Sequence, residues 1–164
     1  MRRFQPIFIF FSMVVIGFLS ACSGEPPQEK AILGTWVQES PFSITDRGLQ
    51  TTTTDTVLRL MKNGETHLTR NLDIIGKGLP KTGIQVSVEL RGNWELINGE
   101  LKQTPDSVLI LPRGSDKESR KWAVKLQAQA EENGPSVKSI ISADKSQLIL
   151  QDAATGTTDV YVRQ

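Results

Sequence analysis

Apolar and polar residues alternate along most of the chain after residue 31, and this pattern predicts β-strands rather than helices. Segment 84–96 carries Ile84, Val86, Val88 and Leu90 at every second position, the period that places side chains on one face of a strand. Strands are also predicted over 32–39, 56–61, 66–75, 100–104, 108–111, 121–129, 137–142, 147–151 and 157–163. Segment 121–129 is included because Trp122, Val124 and Leu126 alternate, and no amphipathic helix is predicted.

Turn signals separate these strands at short intervals. Asn63-Gly64 and Asn98-Gly99 are Asn-Gly pairs, which accept the positive φ angles of a type I′ hairpin turn. Residues 40–54 are rich in Ser, Thr and Gly and are predicted as a loop, with the next strand beginning around 51–54. Gly92 is predicted to mark a β-bulge. Sequential hairpins favour one all-β domain, a small antiparallel up-and-down barrel of about eight strands, because closure removes exposed sheet edges.

The first 21 residues have the pattern of an export signal. Arg2 and Arg3 precede a run from Phe4 to Leu19 that is almost wholly apolar. This run is shorter than the roughly 20 apolar residues that a membrane-spanning helix needs, and it suits the apolar region of a signal peptide. We therefore predict a signal peptide over 1–21, a lipidated cysteine with a flexible tether over 22–31, and a barrel domain over 32–164.

The signal ends in Leu19-Ser20-Ala21-Cys22, which resembles the lipobox of bacterial lipoproteins. The resemblance implies cleavage before Cys22 and attachment of diacylglycerol to its thiol, with acyl chains such as palmitate anchoring the protein. It also accounts for the single cysteine, which would otherwise be a free thiol in an exported protein. Ser23, in place of the Asp that favours retention in the inner membrane, implies a lipid anchor in the outer membrane that faces the periplasm, if the host is Gram-negative.

Four phrases of the mature chain, in order, resemble bacterial lipocalin-like lipoprotein domains. They are Leu33-Gly34-Thr35-Trp36, LMKNGE over 60–65, GNWELINGEL over 92–101, and the closing pair DKSQLIL over 144–150 and VYVR over 160–163. The resemblance covers 32–163 and is interrupted over 105–135. It implies a lipocalin-like barrel in which Trp36 of the first strand lies under Arg163 of the last, a structural pair at one end of the barrel. A cation over an indole face stabilises by about 0.5–2 kcal/mol.

Composition excludes several classes of function. The chain has 19 basic and 18 acidic residues, so it lacks the basic surface of a nucleic-acid binder. One Cys and one His exclude a zinc site with several thiolates and sites that need two imidazoles. His67 alternates with Thr69 and Asn71 and is predicted as an exposed strand residue. No Glu or Asp stands at a convincing spacing to give it a catalytic or metal-binding role. We therefore predict no catalytic residues, no metal and no cofactor.

Two hypotheses of different classes follow. In the first, a non-enzymatic lipoprotein barrel binds a small apolar or lipid-like molecule in its interior. In the second, the barrel is a protein-interaction module for an envelope partner, such as a pilot or assembly factor or a hydrolase inhibitor. A binder should have an interior hollow lined by apolar side chains, whereas a module should have a filled core and an exposed patch.

Overall fold

The structure is a computed structural model that describes residues 27–46, 48–132 and 134–164. Its elements, in chain order, are α1 (Pro27–Ile32), β1 (Gly34–Gln38), β2 (Phe42–Asp46), β3 (Leu49–Leu60), β4 (Glu65–Gly76), β5 (Ile84–Ile97), β6 (Glu100–Pro112), α2 (Lys117–Glu131), β7 (Ser136–Ala143), β8 (Gln147–Asp152) and β9 (Thr158–Arg163). Strands predominate, and the all-β prediction is confirmed.

Eight of the strands close into an antiparallel barrel. Pairing runs in the order β1-β9-β8-β7-β6-β5-β4-β3, and a further pairing of β1 with β3 completes the ring. At the junction, Trp36 is the partner of Leu58 on one side and of Arg163 on the other. From β3 to β9, strands consecutive in sequence are neighbours, so the prediction of an up-and-down barrel of about eight strands is confirmed. This is the architecture of lipocalins.

β2 corrects the prediction that residues 40–54 form a loop. It pairs with the first half of β3, from Phe42 opposite Thr53 to Asp46 opposite Leu49. The second half of β3 pairs with β1 along the same edge, so β2 extends the sheet beyond the closed ring. The loop prediction was wrong because a run rich in Thr is polar in composition, yet Thr is a favoured strand residue.

The two Asn-Gly turns have different geometries. Asn98 and Gly99 have φ angles of 53° and 82°, as predicted for a type I′ turn. Gly64 also has a positive φ of 83°, but Asn63 before it does not, since Asn98 is the one non-glycine residue with positive φ in the described part of the chain. The Gly64 amide donates to the carbonyl of Met61 at 3.0 Å. This hairpin is therefore a type I turn followed by a left-handed glycine, and the predicted turn type was wrong there.

The predicted bulge lies at Gly92. Arg91 is opposite Ser107, whereas Gly92 is opposite Pro105, so Asp106 is left without a partner in the ladder. Two residues of β6 thus occupy the space of one, which is the definition of a β-bulge. The bulge also accommodates Pro105, which cannot donate to a regular ladder.

We expect Gly92→Ala to lower the free energy of unfolding by about 1–3 kcal/mol. A Cβ at this position would lie 2.1 Å from the carbonyl oxygen of Thr104, so the backbone of the bulge would have to move. Gly134→Ala is the matched control, because a Cβ there meets no heavy atom within 4 Å. Urea unfolding of both variants tests this expectation, and equal effects would contradict it.

α2 corrects the prediction of a strand over 121–129. Asp116 caps the helix by accepting a hydrogen bond of 2.7 Å from the Ser119 amide, as N-cap residues do. Trp122, Ala123 and Leu126 lie on one face of the helix and pack against the inner face of β5 and β6. Neither α1 nor α2, the helices of the described residues, is long and apolar enough to cross a membrane.

Two apolar clusters fill the two ends of the barrel. The Trp36 cluster consists of Ile32, Trp36, Leu58, Leu60, Trp94, Leu101, Leu148, Leu150 and Tyr161. The α2 cluster consists of Ile74, Ile84, Val86 and Ala123, with Leu72, Leu79, Ile110, Trp122 and Leu126 packed against it.

Candidate functional site

Two rows of side chains cross the inner face of β3–β6, from the Trp36 cluster, which includes Leu58, toward the α2 cluster, against which Ile110 packs. In the first row, Leu58, Leu68, Leu90 and Val108 are paired strand by strand. In the second, the corresponding residues are Thr56, Arg70, Val88 and Ile110. Directly paired residues point to the same face of a sheet, and the burial of Leu58 identifies this face as the inner one. We call these eight residues the middle rows.

The middle rows are incompletely buried although they face inward. Leu58 and Thr56, at the β3 end, are 1% and 0% exposed. The other six side chains are all half-buried. These inward-facing side chains, five apolar ones and Arg70, are therefore not fully covered by the rest of the described chain, and a mostly apolar lining is the usual character of a small-molecule site.

Three charged side chains meet inside the barrel beside the second row. Asp159 of β9 accepts a short hydrogen bond from the Lys138 ammonium of β7. The guanidinium of Arg70 lies 3.6 Å from the same carboxylate oxygen. The Asp159 and Lys138 side chains are 5% and 11% exposed, whereas that of Arg70 is 23% exposed. We call these three residues the interior ionic cluster.

A chain of hydrogen bonds holds Arg70 in position. Its Nε donates to Thr56 Oγ1 at 3.2 Å, and that hydroxyl donates to Oε1 of Gln38 at 2.7 Å. The orientation of the guanidinium is therefore set by groups on β1 and β3. Nearer the Trp36 cluster, Gln103 Nε2 donates to Thr66 Oγ1 at 2.9 Å, so buried polar groups also link β4 with β6.

Tyr161 lies beside the ionic cluster, with its hydroxyl 3.5 Å from the Asp159 carboxylate. Burial raises the pKa of Tyr161 to about 12, because a buried environment disfavours the charged phenolate. The nearby Asp159 raises this pKa further, and Arg70 opposes it.

The alkaline titration of Tyr161 gives a direct test of its burial. Because the folded pKa is raised, its stabilising contribution is complete below pH 10 and is lost as the pH rises through about 12. Two pKa units correspond to about 3 kcal/mol. Tyr161 is the sole tyrosine of the chain, so absorbance near 295 nm reports on it alone. Tyr161→Phe should remove this pH dependence, and a transition near pH 10 in the folded protein would contradict it.

Trp36 and Arg163, the pair implied by the lipocalin-like resemblance, lie together in the Trp36 cluster. The Arg163 guanidinium is 4.1 Å from the centroid of the Trp36 ring, and Trp36 is 0% exposed. Arg163 also donates to the carbonyls of Leu33 at 2.6 Å and Ala31 at 2.7 Å. Trp36 Nε1 donates to the carbonyl of Ile32 at 2.7 Å. These donors satisfy carbonyls at the C-terminal end of α1, and the pair lies outside the middle rows.

The close approach of Arg163 explains why position 34 of the Leu-Gly-Thr-Trp phrase is a glycine. Its φ is 134°, and a Cβ there would lie 2.5 Å from Nη1 of Arg163. A larger residue would therefore push the guanidinium away from the ring of Trp36.

The predicted lipidation residues Leu19, Ser20, Ala21 and Cys22 lie outside the described residues. Residues 27–31, which the sequence assigned to the tether, form α1, and Ile32 at its end is 0% exposed.

His67 lies on the outer face, between Arg59 and Arg91 in the register. It is half-buried rather than fully exposed, and its Nε2 is enclosed without a hydrogen-bond partner among the described residues. Arg59, His67 and Arg91 help to line an outer cleft of about 570 Å³, together with Glu65 and Asp106. No group of three His, Cys, Asp or Glu residues in the described chain could hold a metal ion.

α2 covers the part of the barrel where pairing between β6 and β7 ends. Among the described residues, these strands pair through 100–103, although β6 continues to Pro112. Beyond that point, Gln127 takes the place of a strand: its Oε1 accepts from the Ile110 amide at 2.7 Å, and its Nε2 donates to the Val108 carbonyl at 2.6 Å. A cleft of about 370 Å³ remains between residues 105–108 and 130–131, beside inward-facing Val108.

We expect Gln127→Ala to lower the free energy of unfolding by about 1–3 kcal/mol, because it leaves two backbone groups of β6 without partners. Hydrogen exchange at Ile110 should become faster. Gln129→Ala is the matched control, since Gln129 lies exposed on the same helix. Unchanged exchange at Ile110 would argue against the role of Gln127.

The sequence analysis missed Arg70, Lys138 and Asp159. A signal was present in β9, where Val160 and Val162 alternate with Asp159, Tyr161 and Arg163. The apolar positions of this strand face outward, Val162 being 37% exposed, while Asp159 and Tyr161 are 4% and 1% exposed. The usual expectation that apolar positions face inward therefore assigns this strand the wrong way round.

Comparison with known proteins gives a similar solved structure and no matching family. No protein-family model matches the chain, and no curated protein matches it. Among solved structures, it is similar to a lipocalin-like protein from Bacteroides uniformis ATCC 8492, with 16% sequence identity and a TM-score of 0.31. The match covers 82% of this chain and 99% of that chain. The assignment of the fold rests on the strand pairing.

Proposed function

We propose that this protein is a lipid-anchored protein of the bacterial cell envelope whose barrel binds a small, mostly apolar or lipid-like molecule and catalyses no reaction. The observation that carries the proposal is the incomplete burial of the middle rows, where six of eight inward-facing side chains remain half-buried. A ligand that covers them would gain roughly 25 cal/mol for each Å² of apolar surface removed from water.

The anchor is the second part of the proposal. Its support is the agreement of Arg2 and Arg3, the apolar run and the Leu19-Ser20-Ala21-Cys22 phrase. With Ser23 after the cysteine, we place the anchor in the outer membrane, facing the periplasm. More than one acyl chain is needed for stable anchoring, and diacylglycerol with palmitate would meet that need.

Native mass spectrometry of residues 23–164, produced in the periplasm, tests ligand binding. We expect a reproducible adduct of a few hundred daltons that is lost in Leu90→Arg, because Leu90 is half-buried in the first middle row. Leu109→Arg is the control, since Leu109 faces outward and is 46% exposed. A protein that remains free of adducts after incubation with envelope lipids would count against the proposal.

A second candidate, a protein-interaction module, is favoured by one feature of β6. Leu109 and Leu111 face outward two residues apart and are 46% and 43% exposed, which is the character of a contact patch. Photo-cross-linking from position 109 in whole cells, compared with position 90, tests this candidate. A discrete envelope protein captured from 109 and not from 90 would support it.

A further inference from the structure

Three basic side chains form a row across the outer face of β3, β4 and β5. Arg59 is the register partner of His67, and His67 is the register partner of Arg91. Directly paired residues point to the same face of a sheet, with their Cβ atoms about 4.5–5.5 Å apart. The two arginines therefore flank the imidazole, and we call these three residues the basic row. Basic neighbours do not stabilise a sheet as oppositely charged pairs do, so the row calls for another explanation.

The two arginines of the basic row are not neutralised by the acidic residues near them. Both are exposed, and within the described part of the chain neither Arg59 nor Arg91 has an ion-pair or hydrogen-bond partner. Glu65 is displaced along the strand, since its register partner is Asn93. Asp106 accepts a hydrogen bond of 3.0 Å from the Asn93 amide. The donors of both guanidiniums are thus available to a ligand.

His67 supplies an independent observation. The residue is half-buried, and its Nε2 is enclosed without a hydrogen-bond partner among the described residues. A buried polar atom that lacks a partner costs free energy. An imidazole nitrogen can donate to an anionic oxygen, and the long, exposed side chains of Arg59 and Arg91 can move to admit one. A bound anion would therefore satisfy all three members of the basic row.

The cleft over the basic row suits a polyatomic anion. Its volume is about 570 Å³, and all three basic residues line it. The arginines stand on strands that are two apart, a spacing of about 10 Å, which two extended side chains can bridge around one small group. The oxygens of a tetrahedral dianion point in different directions, so they can accept from both guanidiniums and from the imidazole. A carboxylate matches the planar fork of a single guanidinium.

We propose that Arg59, His67 and Arg91 form a binding site for the phosphate group of a phosphomonoester on the outer face of the barrel. The site lies apart from the middle rows, so it stands or falls independently of the proposed function. Two sources carry this group, a soluble phosphate ester and the head group of a membrane lipid. Arg59 pairs with Thr35 near the start of β1, so the cleft lies toward the end of the barrel that follows α1 and the predicted anchor residue Cys22.

The imidazole itself provides the test. His67 is the sole histidine of the chain, so nitrogen NMR of the imidazole in the untagged, full-length protein in dodecyl maltoside micelles reports on it alone. We expect inorganic phosphate, added at constant pH, to move the Nε2 resonance until the site is saturated. Sodium chloride at the same ionic strength should leave that resonance in place. No movement with phosphate, or equal movement with both salts, would overturn the proposal.

Substitutions test the arginines by titration calorimetry with inorganic phosphate. Arg59→Gln and Arg91→Gln should each weaken binding by about 10- to 100-fold, because each removes charge-assisted hydrogen bonds. Arg120→Gln is the matched control, since Arg120 is exposed on α2 and its loss changes the net charge equally. Binding to this control should stay within about 2-fold, because solvent and salt screen distant charges. Equal weakening in all three variants would show that only net charge matters, and would overturn the site.

Two esters distinguish the sources of the phosphate group. One is glycerol 3-phosphate, added to the protein in micelles, and the other is phosphatidate, included in phosphatidylcholine nanodiscs that hold the protein. Movement of the His67 resonance by phosphatidate, relative to nanodiscs without it, would assign the site to a lipid head group. Movement by glycerol 3-phosphate alone would assign it to a soluble ester. If neither ester moved the resonance, the assignment to a phosphomonoester would be wrong.

Discussion

Trp36→Ala should lower the free energy of unfolding by about 3–5 kcal/mol, the range for removing a large buried aromatic side chain. The indole is 0% exposed at the centre of the Trp36 cluster. Its loss leaves a cavity, deprives the Ile32 carbonyl of its donor and removes the ring beneath Arg163. Chemical denaturation followed by far-ultraviolet circular dichroism measures the change.

The matched control for Trp36 is Val124→Ala on the outer face of α2. Val124 is 71% exposed, so its truncation should change stability by no more than about 0.5 kcal/mol. Trp36→Phe should fall between the two, because it keeps a ring for Arg163 and loses the hydrogen bond to Ile32. A loss below about 1 kcal/mol for Trp36→Ala would mean that the ring is not part of the core.

Asp159→Asn is expected to destabilise the protein by about 3–5 kcal/mol, because removing one partner leaves a buried charge uncompensated. Asp159 is the carboxylate that both Lys138 and Arg70 approach, and its side chain is 5% exposed. Adding Lys138→Met to this variant should recover part of the loss, since it removes the uncompensated ammonium. Urea unfolding of the single and double variants measures the coupling.

An ion pair on the surface provides the comparison for Asp159. Lys102 and Glu95 are 2.6 Å apart, but their side chains are 37% and 52% exposed. Glu95→Gln should therefore cost between 0 and about 1 kcal/mol. If Asp159→Asn cost no more than Glu95→Gln, the interior cluster would not be the desolvated arrangement described here.

Alternation and turns in the sequence were sufficient to predict the barrel. β4, β5, β8 and β9 lie where strands were predicted over 66–75, 84–96, 147–151 and 157–163, and the Asn98-Gly99 turn and the Gly92 bulge were both identified from one or two residues. These features are local, since each depends on one strand or one turn. Closure then follows from the number of strands, because an open sheet of this size would expose its edges.

α2 could not be separated from a strand by alternation alone. Trp122, Val124 and Leu126 alternate, yet the buried face uses Trp122, Ala123 and Leu126, and Val124 points to solvent. Helical signals were also present, in the Asp116 cap and in a run of strong helix formers after it. A helix forms here because the part of β6 that does not pair with β7 must be covered. This requirement cannot be predicted until the pairing of β6 with β7 is known.

The interior ionic cluster was missed for a different reason. Arg70, Lys138 and Asp159 lie on three strands, and Lys138 and Asp159 are 21 positions apart. They meet because β4 and β9 face each other across the ring, which depends on register and closure together. The order of strands along the chain predicts which strands are neighbours. It does not predict which side chains face each other across the interior of the barrel.

The seam between β1 and β9 makes closure of the barrel depend on contacts between residues far apart in sequence. Arg163 donates to the Leu33 carbonyl across 130 positions of the sequence, and β1 pairs with β9 as well as with β3. Contacts this distant are slow to form, because the chain between them loses entropy before they can stabilise the fold. Until β9 pairs with β1, the sheet has two unpaired edges, and each of them can pair with the edge of another copy.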